Sequence, residues 1–145
     1  MQPLDSPFAV ADRIIAEIKD QADIIIVDMH AEATAEKNAM GNYLDGRVSV
    51  VVGSHTHVQT ADERILPHGT AYITDMGCCG PYDSIIGMEK EGVFQRMIKQ
   101  LPTRLSVAAG PSMVNGVRIT IDRFSFKALS IQRVYYRECP DNLNI

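Results

Sequence analysis

The sequence predicts an α/β fold, a layered α/β sandwich of one sheet with flanking helices spanning residues 1–137. Two observations carry that prediction. Two unbroken apolar runs, ADIIIVDMH (22–30) and RVSVVVGS (47–54), have strand length and the composition of strands buried on both faces of a sheet. Each follows a segment of helical character, and the resulting order of helix, strand, helix and strand argues for at least two parallel strands.

The elements follow in order. DSPFAVADRIIAEIKDQ (5–21) reads as a helix, with Asp5 or Ser6 as its cap, Pro7 in the first turn, and Phe8, Ala11, Ile14, Ile15 and Ile18 at helical spacing. AEATAEKNAMGNYLDG (31–46) favours a second helix that stops at Asp45-Gly46. ERILPHGTAYITDMG (63–77) predicts two short strands turning at Pro67-His68-Gly69. GCCGPYDSIIG (77–87) is a glycine-rich loop, and MEKEGVFQRMIKQ (88–100) an amphipathic helix with Val93, Phe94, Met97 and Ile98 inward. Three further strands are expected in TRLSVAAG (103–110), NGVRITIDRF (115–124) and KALSIQRVYYR (127–137). In these, Val117, Ile119 and Ile121 alternate, as do Leu129, Ile131 and, after a slip, Val134. Residues 138–145 read as a loose tail.

Composition narrows the classes of function. A chain of 145 residues can bury roughly 70% of its unfolded surface, enough for a real core. The net charge of -4 supplies no basic field of the kind that grips a nucleic-acid backbone, although a bound cation can still recruit a nucleotide. No apolar run approaches the roughly 20 residues that span a bilayer. The amino terminus lacks a basic region followed by an apolar stretch, and three cysteines, two of them adjacent, make no disulfide framework. These features predict a reducing, cytoplasmic setting.

Chemistry concentrates at the ends of the two apolar runs. His30 follows IIIVDM, and His55 and His57 follow VSVVVGS. Ligands of open α/β sheets bind in the crevice at the carboxyl ends of the strands, and neighbouring strands lie about 5 Å apart, so the three imidazoles can converge on a metal. Imidazole is the commonest metal ligand and needs an acceptor on its other ring nitrogen, for which Asp28, Glu32 and Asp75 are candidates. A single histidine at a strand end is ordinarily a surface or hydrogen-bonded residue, and it is the H-x-H pair with a matching His30 that lifts this set above the ordinary. His68, between Pro67 and Gly69, reads as an exposed turn residue. From spacing alone, three histidines with an open fourth position describe a mononuclear zinc hydrolase.

The flanking residues are more specific. IIIVDMHAEATAEKNAMGNYLDGRVS, GSHTHVQTADERILPHGTAYITDMG and GPYDSIIGM resemble the carboxyl-terminal part of the YmdB-like branch of calcineurin-type metallophosphoesterases, over essentially the whole chain. The resemblance implies a metallophosphoesterase-type α/β sandwich and a phosphodiesterase that uses two divalent metal ions (Fe, Mn or Zn) on small substrates such as 2′,3′-cyclic nucleotides. It implies that His30 and His55 ligate one metal with an asparagine and a bridging acid, and that His57 ligates the other. The family's remaining ligands and its proton donor belong to an amino-terminal half, and this chain carries no Asn-His dipeptide. The expectation is therefore a fragment whose sheet exposes an apolar edge and which dimerises, aggregates or is complemented by a separate amino-terminal polypeptide. A catalytically inactive metal-binding or regulatory module is the alternative. Cys78 and Cys79 read as small loop residues, Arg47, Arg64 and Arg104 as solvated surface, and the 88–100 helix as packing.

Overall fold

The computed structural model describes residues 5–138. Helix α1 (Pro7–Ile18) leads to β1 (Ile26–His30), α2 (Thr34–Tyr43) and β2 (Val50–Ser54). The hairpin strands β3 (Arg64–Ile65) and β4 (Ala71–Ile73) follow, then β5 (Gly80–Pro81), α3 (Lys90–Met97), and the long strands β6 (Ser112–Ile121) and β7 (Ala128–Arg137). One sheet has the order β1-β2-β4-β3, with β1, β2 and β4 parallel and β3 antiparallel; the other has the order β5-β6-β7 and is antiparallel. The chain thus builds two sheets, where the sequence suggested one.

Strand alternation assigns each face of the first sheet to a different layer. Val51 and Tyr72 pack with Met40, Leu44, Val48 and Leu66, against which Phe8, Ala11 and Ile15 of α1 close. Val50, Val52, Ala71 and Ile73 point the other way, onto Ala128, Val117, Ile119, Ile121 and Ile131 of the second sheet. The order is helices, parallel sheet, antiparallel sheet.

Pro7 opens α1 as expected, but Ser6 makes no side-chain cap bond; its carbonyl accepts from Val10 N at 3.0 Å. The apolar run at 22–30 is not buried on both faces. It ends in an edge strand paired only with β2, Ile26 is 62% exposed, and Ile24 is exposed beside it. The second sheet stops short of this strand and leaves its Ile26, Asp28 and His30 face uncovered. Residues 103–110 form no strand: Val107 makes a single bridge to Met88, because its neighbour there is the turn around Gly87, at φ 93°. Without a layer on that side, only Val93 of α3 is buried, and Phe94, Met97 and Ile98 are exposed. Leu129 leaves the expected alternation because Thr120 pairs with Ser130 while Ile121 pairs with Ala128. Leu129 is the extra residue of a bulge and faces solvent, and Ala128 takes the buried place. The tail expected at 138–145 lies outside the described residues beyond Glu138, whose backbone N–H donates to Ser112 O at 2.9 Å.

Two close approaches set the site end of the sheet. Gly41 lets α2 lie on the Tyr72 ring, whose Cδ2 would stand 2.4 Å from an added Cβ. Gly53 lets the chain after β4 pass alongside β2: an added Cβ would sit 1.8 Å from Thr74 O and 2.6 Å from Lys37 Cδ. Lys37 then reaches over Gly53 to an ion pair in which both side chains are 0% exposed, Nζ to Asp75 Oδ2 at 2.9 Å. The same ammonium donates to Ser54 O at 3.1 Å, while Asp75 accepts from Thr56 N and Gly77 N, both at 2.9 Å.

Gly53→Ala is expected to destabilise the chain by at least the upper end of the roughly 1–3 kcal/mol typical of overpacking. Gly116→Ala, where an added Cβ meets nothing within 4 Å, serves as the tolerated control in the same urea titration. Lys37→Met should cost about 3–5 kcal/mol, since it strands a buried carboxylate; a loss below about 1 kcal/mol would sink the assigned role. Burial pushes the Asp75 carboxyl up, but hydrogen bonds from Thr56 N, Gly77 N and Lys37 together outweigh it and hold the group below the ordinary carboxylate range. For Asp62, burial is likewise outweighed by the Thr74 and Thr60 hydroxyls and Thr74 N. A depressed carboxylate contributes stability that is complete above its unfolded value and is lost as pH falls through the folded one. Thermal midpoints should accordingly hold near neutrality with respect to these groups and fall below about pH 4, less steeply in Asp75→Asn.

Candidate metal centre

Strand register builds the site. β1 and β2 run parallel with His30 opposite Ser54 and Asp28 opposite Val52, so the ends of both strands expose their last side chains side by side. The Ser54 hydroxyl donates to Asp28 Oδ1 at 2.7 Å and lies 3.1 Å from His30 Nδ1. A hydroxyl whose proton is committed to a carboxylate presents its oxygen as acceptor, so the network assigns the proton of His30 to Nδ1 and the lone pair to Nε2. Asp28 therefore orients the imidazole through Ser54, a relay that the sequence reading of Asp28 as a direct partner lacked.

His55 follows Ser54 and meets His30 edge to face, with ring centroids 5.0 Å apart and planes at 80°. His55 Nδ1 lies 3.1 Å from His30 Nε2. At the usual metal–imidazole distance of about 2.1 Å, that separation matches two ligands subtending roughly 95° at one cation. The pair fits a shared metal ion. His55 adopts φ 125° and His57 φ 62°, conformations that non-glycine residues avoid at a cost of about 1–3 kcal/mol. The Lys37–Asp75 pair maintains them: Ser54 O before the loop and Thr56 N within it are both bonded to that pair.

His57 does not converge with the other two. It lines a cavity against the second sheet, and its carbonyl accepts from Cys78 Sγ at 3.3 Å. Among the described residues, no three His, Cys, Asp or Glu side chains come together in a metal-holding group. The convergence of three imidazoles on one point, expected from spacing, is thus replaced by a pair and a separate third. Asp75 bonds Lys37 and backbone amides, and Glu32 is exposed without a hydrogen-bonded side-chain partner among the described residues. His68 is exposed in its turn and 2.9 Å from Asp45, as a turn residue should be. Cys78 and Cys79 act as loop clasps, with thiols donating to His57 O and Asn115 O, and burial pushes the Cys78 thiol up. Arg47 pairs with Asp12 and Arg64 with Asp62, both at the surface.

Two residues escaped sequence reasoning. Ser54 carries no signal beyond its place before His55. Lys37 does: it shares the 37, 40, 41, 44 stripe of α2 with buried Met40, Gly41 and Leu44, and a lysine at such an inward position requires a buried partner.

Comparison with known proteins places the chain in a family. A family model described as YmdB-like protein matches residues 1–134. The chain is 54% identical over 134 residues to a Bacillus subtilis (strain 168) protein named 2′,3′-cyclic-nucleotide 2′-phosphodiesterase, covering 92% of this chain and 51% of that one. The crystal structure of a hypothetical protein from Thermus thermophilus superposes with a TM-score of 0.86 at 40% identity, over 96% of this chain and 54% of that one. That of a novel phosphatase from Mycoplasma pneumoniae gives 0.83 at 37% identity, over 93% and 49%. The chain spans about half the length of the relatives it matches. It belongs to the YmdB-like family and carries the family's metallophosphoesterase-type α/β fold.

Proposed function

We propose that this chain supplies the carboxyl-terminal share of a two-metal phosphodiesterase centre acting on small phosphodiesters, with 2′,3′-cyclic nucleotides as the leading substrate class. The observation that carries this reading is the His30–His55 pair: Ser54 and Asp28 hold His30 in the tautomer whose Nε2 lone pair faces His55 Nδ1 at 3.1 Å, where a metal held by both nitrogens would replace the hydrogen bond between them. His57, two residues on and lining the cavity against the second sheet, suits a second cation. Divalent ions bound there would stabilise the negative charge that develops on the phosphoryl oxygens. The chain's own residues fix the geometry: Asp28 and Ser54 orient His30, and Lys37 with Asp75 holds the strained loop that carries His55 and His57. The further ligands and the proton donor would come from polypeptide beyond the described residues. A metal-binding module without turnover is the second reading, favoured for the isolated chain by the absence of a third converging ligand among the described residues.

Metal content after incubation with Mn, Fe or Zn should fall in His30→Ala and His55→Ala, and further in the triple variant with His57→Ala. Equal metal in the unmodified and triple-variant proteins would overturn the ligand assignment. Ser54→Ala should weaken metal affinity by about 10–100-fold, as loss of an orienting partner does, with the fold intact by circular dichroism. Metal uptake without hydrolysis of bis-p-nitrophenyl phosphate or 2′,3′-cyclic AMP would select the non-catalytic module for this chain.

A further inference from the structure

The cavity beside His57 is a built cleft with the chemistry of a nucleobase subsite. It is an open depression of about 420 Å³ between the histidine loop and the second sheet, lined by residues that include His57, Val58, Met113, Asn115, Arg133 and Tyr135. Ligand pockets of this size are ordinarily apolar with a few placed polar groups, and this one fits that description. Asn115 of β6 lies directly opposite Tyr135 of β7, so the amide and the aromatic ring are cross-strand neighbours. Tyr135 is 59% exposed although it shares its sheet face with the inward-packed Ile131; Tyr136, 64% exposed, lies on the opposite face.

The polar atoms on the walls are held in place yet keep unused capacity. Asn115 Nδ2 donates to Cys78 O at 2.7 Å, which fixes the amide and leaves Oδ1 to accept from a ligand. Arg133 Nε donates to Glu63 Oε1 at 2.9 Å, which anchors the guanidinium on the wall. Gln59 Nε2 donates to Gly116 O at 2.9 Å and so ties the histidine loop to the β6 wall of the cleft.

Resting on the phosphodiesterase reading above, we propose that Tyr135 and Asn115 form a nucleobase-binding subsite: the base stacks on Tyr135 between the apolar walls of Val58 and Met113, and Asn115 Oδ1 accepts from an exocyclic amine. The phosphate end of the nucleotide is directed toward His57. A flat heteroaromatic group with a donor on its edge suits these walls, whereas an aliphatic phosphodiester would leave the ring and the amide oxygen without partners.

The test measures binding of 3′-AMP and of inorganic phosphate to the full chain by equilibrium dialysis, for the unmodified protein, Tyr135→Ala and Tyr135→Phe. Because the ring is exposed, both variants should keep the native circular dichroism. Tyr135→Ala is expected to weaken 3′-AMP binding roughly five- to hundredfold, the range in which base stacking on an aromatic side chain acts. Tyr135→Phe should retain it, and phosphate binding should be unchanged in both. Undiminished 3′-AMP binding by Tyr135→Ala, equal loss of phosphate binding, or no binding of 3′-AMP by the unmodified chain would each overturn the subsite. Hydrolysis of 2′,3′-cyclic AMP is assayed separately. Its absence, with the binding difference present, selects the module without turnover for this chain and leaves the subsite standing.

Discussion

One buried ion pair organises the functional end of this protein. Lys37 and Asp75 come from a helix and a strand end that are 38 residues apart in sequence, and both side chains are sealed from solvent. Their attraction alone would not offset the desolvation of two charges. The arrangement is stable because the carboxylate also accepts from Thr56 and Gly77 amides, and the ammonium also donates to Ser54 O. Each of those extra bonds falls on the chain that carries the histidines or on the turn that follows β4. The charges are satisfied by the very backbone they hold in place.

That coupling explains how two histidines sit in unfavourable backbone conformations. A loop with φ values of 125° and 62° at His55 and His57 would relax if its ends were free. It is bracketed by β2, by the Asp75 carboxylate, and by Gln59, which bonds Gly116 across to the second sheet. Strain at the site is thus balanced by packing and hydrogen bonds outside it. Gly53 is part of the same device, since only a residue without Cβ allows Thr74 O and the Lys37 stem to pass so near β2.

The second sheet gives the site its asymmetry. It covers Val50, Val52, Ala71 and Ile73 but leaves β1 at an open edge, so His30 and His55 face solvent beyond that edge while His57 looks toward the β6–β7 surface. Two different environments therefore flank one short loop. This division underlies both the separation of the histidines into a pair and a single residue and the cleft that carries Tyr135.

Residue order was sufficient for the parallel α/β core, the hairpin at Pro67-His68-Gly69, the strand-end placement of His30, His55 and His57, and the family to which they belong. Those features are local: apolar run length, turn residues and motif order survive without knowledge of neighbours. Which strand forms the exposed apolar edge, that 103–110 forms no strand, and that Leu129 is expelled by a bulge emerged from the packed fold, because each depends on what another segment reaches or fails to reach. The same holds at the site. Asp28 acts through Ser54, and Asp75 serves Lys37 in place of an imidazole, since strand register and the close approach at Gly53 fix which polar atoms meet. Residue identity supplied the candidates, and the packing of one backbone against another chose their partners.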